Sequence, residues 1–175
     1  MKRFIDVKKV INALLFNIAW LVCVIFGDLA AAMACAVVLL LHFLLVSRNP
    51  AEGSLLLKVV ILGWLVDTAL FSANLLISDV GSIFPPLWLS CLWLLFATTL
   101  NHCFVWFQQH KIVAIIVGAI AGPSSYFAGC QLSAIAIGEP PFTSLLIIAL
   151  VWAVIFPVVL SWANRLNDQS QSAAS

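Results

Sequence analysis

Charged residues are scarce in this sequence. Only 9% of the 175 residues are Asp, Glu, Lys or Arg, whereas 64% are hydrophobic. Soluble domains carry about 25% charged residues, which supply much of the polar surface that faces water. The composition therefore excludes a water-soluble globular domain.

The few charges nearly cancel, which excludes a second class of protein. Eight basic and seven acidic residues leave a formal net charge of +1. Binding to DNA or RNA requires a basic face that neutralises phosphates, and the sequence offers no such face. We therefore expect no nucleic acid among the partners.

Metal-binding and redox motifs are also lacking. The five cysteines all lie inside apolar runs, without paired-cysteine or Cys/His spacing, and such cysteines behave as small hydrophobic residues. Haem ligation, intramembrane serine proteolysis and metal transport are each disfavoured, because the apolar runs contain one Asp, two histidines and no glycine-flanked serine. We predict no metal, no cofactor and no catalytic residue.

What the sequence has in abundance is long apolar runs. Each contains about 17–26 residues, enough to cross a hydrocarbon core of about 30 Å at about 1.5 Å per helical residue. We predict an all-α polytopic membrane protein, a six-transmembrane-helix bundle that forms a single domain over residues 1–166, followed by a disordered polar tail over 167–175. The predicted spans are 10–26, 29–46, 55–77, 87–107, 112–137 and 142–163.

The charged residues predict how this bundle is oriented. Six crossings place both termini on one side, and the three loops on the other side carry only acidic residues, Asp28, Asp79 and Glu139. Cytoplasmic loops are enriched in Lys and Arg, so we predict that both termini are cytoplasmic. A cleaved signal peptide is disfavoured, because cleavage near the alanines at 30–36 would leave too short a remnant to cross. All eight basic residues lie on the side of the termini: Lys2, Arg3, Lys8, Lys9, Arg48, Lys58, Lys111 and Arg165.

The fifth run carries small residues on one face. Gly118, Gly122, Ser125 and Gly129 recur at steps of three and four, so they align along one side of a helix. A face without large side chains lets a neighbouring backbone approach closely, which favours helix association in lipid. We predict that these residues, with Pro123 in the middle of the run, form a helix-packing surface.

Asp67 is the sharpest single indication of a functional site. It lies nine residues beyond Lys58, hence about 13 Å into the membrane, where an acidic side chain costs about 2.5–3.5 kcal/mol on insertion scales. Asn74 follows on the same helical face. Two interpretations remain open: a proton or ligand site, or a neutral carboxyl group that hydrogen-bonds another helix.

Several further polar residues are predicted to reach the depth of Asp67. Their convergence predicts one buried polar site that opens towards the cytoplasm. For the histidine of the fourth span, a packing role between helices is the alternative. The residues come from the second, fourth and fifth spans: His42, Asn101, His102, Ser124 and Tyr126.

Three stretches of the sequence resemble one known family. They are NALLF over 12–16 followed by Trp20, LWLLFATTL over 92–100, and GAIAGPSSYFAG over 118–129. On these stretches the chain resembles the bacterial integral-membrane family catalogued as domain of unknown function 2878. The resemblance implies a small multi-pass protein of the bacterial inner membrane, and it brings no established activity, cofactor or catalytic residue.

Three classes of function fit these observations. The first is a protein that binds or moves a small apolar molecule or lipid between its helices. The second is an accessory or scaffold subunit of a membrane enzyme complex, for example a lipid-modifying one, docked through the small-residue face. The third is a membrane-embedded enzyme that uses Asp67, His42 and Asn101. Membrane lipids are the expected partners, with a membrane protein or a second copy of the chain in the scaffold case.

Overall fold

The apolar runs fold into helices, as their composition predicts. The computed structural model describes residues 6–47, 49 and 51–172. Over these residues four helical stretches are long and apolar enough to cross a membrane, which confirms the all-α, membrane-type architecture. The elements are α1 (Val7–Leu41), a π-helical turn (His42–Val46), α2 (Glu52–Ser72), β1 (Leu76–Ser78), α3 (Leu87–Ala97), a 3-10 helix (Val105–Gln109), α4 (Lys111–Leu132), β2 (Ile135–Ile137) and α5 (Pro141–Ser172).

The chain reverses direction inside α1, at Gly27. This residue has φ 72° and ψ −159°, a conformation that glycine adopts readily and other residues rarely do. Before Gly27, Asn12 contacts residues 98 and 103. After it, the ring centroid of His42 lies 5.0 Å from that of His102. Since both ends of α1 meet the same segment, residues 7–26 and 28–41 form an antiparallel hairpin. These halves coincide with the first two predicted spans.

Two of the predicted spans end earlier than expected. The third was predicted to reach residue 77 and the fifth residue 137, but α2 ends at Ser72 and α4 at Leu132. The remaining residues pair instead as β1 and β2 in an antiparallel ribbon, with Leu76 opposite Ile137. A short apolar stretch at the end of a longer run has no periodicity that separates strand from helix.

The fourth predicted span, 87–107, is α-helical only over Leu87–Ala97. Residues 98–104 form irregular turns before the 3-10 helix. The side-chain hydroxyls of Thr98 and Thr99 donate to the carbonyls of residues 95 and 96, and such local bonds compete with regular helix. Irregular backbone at membrane depth is tolerated only where other protein groups satisfy it. We call residues 98–104 the broken segment.

The last helix is longer than predicted. The sixth span was expected to end at residue 163 and the tail 167–175 to be disordered, but α5 continues to Ser172. The extension is fixed by Asn167, whose side-chain amide donates to Asn101 Oδ1 at 3.0 Å. The structure thus describes 167–172 as helical, and 173–175 lie outside the described residues.

Large apolar side chains cover both the inside and the outside of the molecule. The interior holds two clusters, one around Cys23, Leu95 and Ile148 and the other around Val59 and Leu100. Outward-facing positions are also apolar; these include Ile18, Leu40, Ile120 and Leu150. A helical surface that is apolar on all sides is typical of a membrane span.

Candidate functional site

Asp67 is fully buried in the middle of α2. Each carboxylate oxygen accepts a hydrogen bond from a different helix. The indole N–H of Trp93 in α3 donates to Oδ2 at 2.8 Å, and the hydroxyl of Tyr126 in α4 donates to Oδ1. The carboxylate thus joins three helices, as in the packing interpretation of this residue. Of the residues predicted to converge on it, only Tyr126 is bonded to Asp67 in the described part of the chain.

Two stacked indoles fill the centre of the bundle between two glycines. The rings of Trp93 and Trp152 lie 5.0 Å apart between centroids, at an angle of 13°. A Cβ atom on Gly63 of α2 would lie 2.0 Å from Trp93 Cδ2, and one on Gly122 of α4 would lie 2.2 Å from Trp152 Cγ. The two glycines therefore make room for the indoles. We call this arrangement the indole stack.

An apolar cavity of about 540 Å³ lies between the first half of α1, α3, α4 and α5. Its size falls within the range of about 300–1,000 Å³ that is usual for small-molecule sites. Trp93 and Tyr126, which Asp67 holds in place, form part of its wall. Aromatic rings dominate the rest of the wall: Phe16, Trp20, Trp88, Phe96, Phe104, Phe107, Trp152 and Phe156.

The gap between α1 and α4 lies beside this cavity. These two helices share few contacts, whereas α4 packs along α5 and α1 along α3. Between the described residues of α1 and α4, one hydrogen bond spans the gap, from Trp20 Nε1 to Ser125 Oγ at 3.2 Å, and both residues line the cavity. The cavity therefore lies behind this polar contact, on the side of the bundle.

A second polar cluster lies at the end of the molecule that holds the broken segment. His42 Nε2 is 2.9 Å from Glu52 Oε2, and His102 Nε2 is 3.2 Å from Glu52 Oε1. His42 is supplied by the π-helical turn, Glu52 by the first turn of α2, and His102 by the broken segment. We call these three residues the His42 cluster. Single π-helical turns are rare and frequently occur at functional sites.

Polar side chains also hold the broken segment in place. Asn12 Nδ2 donates to the Thr98 carbonyl at 3.0 Å, and Asn12 Oδ1 accepts from the Cys103 N–H at 3.4 Å. On the other side, Asn101 Oδ1 accepts from Gln108 and from Asn167. The bonds of Asn12 satisfy backbone groups that irregular backbone leaves without helical partners, and the bonds of Asn101 join side chains to one another.

The structure does not assemble the single polar site that the sequence predicts. Asp67 with Tyr126 forms one cluster, His42 with His102 a second, and Asn101 belongs to the network around the broken segment. Counting residues from the membrane surface predicts only how deep a residue lies. Its contacts also depend on the side of the helix on which it lies.

Three other predicted residues lie elsewhere. Asn74 is exposed beyond the end of α2, at φ 55°, so it does not share the inward face of Asp67. Ser124 is exposed and its hydroxyl donates to the Ile120 carbonyl at 2.7 Å. Pro123 lies within α4 and is half-buried.

The small residues of α4 divide into two groups. Helix α5 packs closely against Gly118 and Gly122. An added Cβ would lie 2.5 Å from the Trp152 carbonyl oxygen at Gly118, and 2.2 Å from the Trp152 ring at Gly122. Gly129 has no atom within 4 Å of an added Cβ and lines the cavity, as does Ser125. All four small residues thus line the cavity, and α5 in addition packs against Gly118 and Gly122.

Glu52 and Trp93 are among the site residues that sequence reasoning missed. Glu52 lay in a predicted loop. Its negative charge, on the side of the bundle where the basic residues lie, was the one feature of the sequence that could have drawn attention to it. Trp93 lay inside an apolar run, where a tryptophan gives no sign of whether its N–H has a buried acceptor.

The fold and these clusters define a class of protein: an all-α, membrane-type chain with a broken third helix and buried polar groups that join its helices. The chain belongs to the family described as Protein of unknown function (DUF2878), which matches residues 9–158. The family resemblance seen in the sequence is thereby confirmed. No curated protein and no solved structure matches the chain.

Proposed function

We propose that this protein binds a small apolar molecule or a lipid chain in the cavity between α1, α3, α4 and α5. The observation that carries the proposal is the cavity itself, about 540 Å³ in volume and walled mainly by aromatic and aliphatic side chains. Small-molecule sites combine such a wall with a few placed polar groups. Here the polar residues of the wall are Asn17, Ser124, Ser125 and Tyr126.

The route into the cavity favours an occupant that comes from the membrane. The sparse contact between α1 and α4 lies on the side of the bundle, and exposed apolar residues such as Ile18 and Ile120 lie on those two helices. A hydrocarbon chain would enter there by displacing the bond between Trp20 and Ser125. Membrane lipids are therefore the proposed partners.

We propose further that the chain crosses the bacterial inner membrane six times, with both termini in the cytoplasm. The two halves of α1 have 20 and 14 residues on either side of Gly27, and the second continues through the π-helical turn, so each half can cross on its own. Lys8, Lys111 and Arg165 lie within four positions of Asn12, Gln108 and Asn167, which bond the broken segment. These cations are therefore near the end that holds the His42 cluster. Asp28 lies at the opposite end, where its carboxylate accepts from the Trp88 N–H at 2.9 Å.

The two other functional classes have less support. A scaffold that docks through small residues needs them uncovered, whereas Trp152 and Phe156 of the same chain cover Gly118 and Gly122. An enzyme that uses Asp67, His42 and Asn101 together needs them in one site, and they lie in separate clusters.

Replacing Gly129 with leucine tests the binding proposal. An added Cβ there meets no atom within 4 Å and Gly129 lines the cavity, so a leucine side chain would occupy space that the bound molecule needs. We expect native mass spectrometry and organic extraction to show an apolar molecule bound to the wild type. In the variant its occupancy should fall by at least about tenfold, which corresponds to about 1.4 kcal/mol of lost contact.

Gly53→Leu is the matched control. Gly53 also lies in a helix with no atom within 4 Å of an added Cβ, but it is exposed and outside the cavity. The control should retain wild-type occupancy. Equal loss in both variants, or a wild-type protein that carries only the bulk lipid mixture of its membrane, would contradict the proposal.

A further inference from the structure

We propose that His42, Glu52 and His102 form a binding site for a divalent transition-metal ion, Zn²⁺ in the first instance. One ligand atom from each residue lies within 4.8 Å of the other two. The site lies outside the wall of the apolar cavity, so the inference does not rest on the proposed function.

The distances from the Glu52 carboxylate to the two imidazoles are close to the spacing of ligand atoms around a bound zinc ion. The Glu52 carboxylate oxygens are 2.9 Å from His42 Nε2 and 3.2 and 3.4 Å from His102 Nε2. Around a tetrahedral ion with bonds of about 2.0–2.2 Å, neighbouring ligand atoms are about 3.3–3.6 Å apart. Small side-chain movements therefore suffice to admit the ion.

The residue types define which ion fits and what else it would bind. Two imidazoles and one carboxylate are the protein ligands of several zinc and non-haem iron sites, which keep at least one further position open. His42 and Glu52 are 1% and 8% exposed at their side chains, but His102 is 17% exposed. The open position would face the same side as His102, where water completes the coordination.

Burial gives the cluster a reason to hold a cation. A carboxylate removed from water costs several kcal/mol unless it is paired with positive charge. Among the described residues, the ion-pair partners of Glu52 are the two imidazoles, and no Lys or Arg bridges to it. A divalent cation would supply that charge while both imidazoles stay neutral. The other ring nitrogen of His42 is buried without a protein partner, and in the metal-bound form its proton would need a water as acceptor.

The prediction of no metal was based on the spacing of possible ligands along the sequence. The ligands of this site do not follow a recognised spacing. Its ligands come from three elements and are separated by 10 and 50 positions. A search for short sequence motifs, such as paired cysteines, cannot find a site of this kind. The irregular backbone after α3, held by Asn12, brings His102 to the other two residues.

Zinc titration of the purified full-length chain tests the site. The protein should be purified in detergent through a tag without histidine, stripped with a chelator and titrated with ZnCl₂ by calorimetry. We expect one Zn²⁺ per chain. Loss of groups that only support metal ligands costs about 10–100-fold in affinity, so removal of a direct ligand in His102→Gln or Glu52→Gln should weaken binding by at least about 100-fold.

His110→Gln is the matched control, because His110 is exposed and outside the cluster, with Nδ1 2.8 Å from the Trp106 carbonyl. It should bind zinc like the wild type. Absence of stoichiometric binding in the wild type, equal affinity in all four proteins, or equal loss in the His110 variant would overturn the proposal. If the cluster variants fail to fold, the visible absorption spectrum of the wild type with added Co²⁺ tests the site. Intense bands of a four- or five-coordinate ion would support the proposal, and the weak bands of hydrated Co²⁺ would overturn it.

Discussion

Replacing Asp67 with alanine is expected to lower the free energy of unfolding by about 2–4 kcal/mol. The change leaves the N–H of Trp93 and the hydroxyl of Tyr126 without their acceptor at a fully buried position. Each buried donor without a partner costs about 1–3 kcal/mol. We expect each of the two donors to cost an amount in the lower part of that range of about 1–3 kcal/mol, because interhelical bonds in membranes average about 0.6 kcal/mol when helices find other partners.

The measurement is unfolding of the purified protein in mixed micelles of increasing denaturing detergent, followed by tryptophan fluorescence. Asp67→Asn should lose less stability than the alanine variant, because its amide oxygen still accepts from one donor. Thr68→Ala is the control: the neighbouring hydroxyl bonds only to the Trp64 carbonyl of its own helix. An Asp67→Ala protein as stable as the Thr68 variant would show that the carboxylate does not join the helices.

Adding one methyl group at Gly122 is expected to lower the free energy of unfolding by about 1–3 kcal/mol, the usual cost of overpacking. The new Cβ would lie 2.2 Å from Trp152 Cγ and 2.6 Å from its Cβ. Those atoms lie near the backbone of α5, so the indole cannot move aside without shifting the helix or its partner Trp93. The indole stack should separate, which near-ultraviolet circular dichroism detects.

The same substitution two helical turns further along α4 should have the opposite sign. At Gly129 an added Cβ meets no atom within 4 Å, so Gly129→Ala should stabilise the helix by about 0.5–1 kcal/mol through reduced backbone entropy in the unfolded chain. If both alanine variants shift stability in the same direction, the close packing of α4 on α5 is not as described.

The general architecture could be predicted because apolar length alone decides which segments prefer a membrane. The reversal between residues 26 and 29 was also predictable, since a glycine followed by an aspartate interrupts an apolar run. The interruption of α3 after Ala97 was not. Thr98 and Thr99 lie within a strongly apolar run, and tertiary contacts, among them those of Asn12, make irregular backbone stable there.

The candidate sites were harder to predict than the fold, for a physical reason. Asp67 stood out because an isolated carboxylate in an apolar run must find partners, and it has two. The identity of those partners depends on helix rotation, which the weak amphipathicity of membrane helices leaves undetermined. Glu52 was missed because a carboxylate at a helix start is ordinarily solvated. Its burial follows from the position of the π-helical turn that brings His42 onto it.

The account depends most on six crossings, with the cavity inside the hydrocarbon layer. A phosphatase active only outside the cytoplasm and a fluorescent protein active only inside it, fused in turn after Asn49, Asp79, Gln109 and Glu139, measure this directly. Six crossings predict fluorescence at Asn49 and Gln109 and phosphatase activity at Asp79 and Glu139. If α1 crossed once and α3 did not cross, Asn49 would report outside and Asp79 inside, and that result would contradict the account.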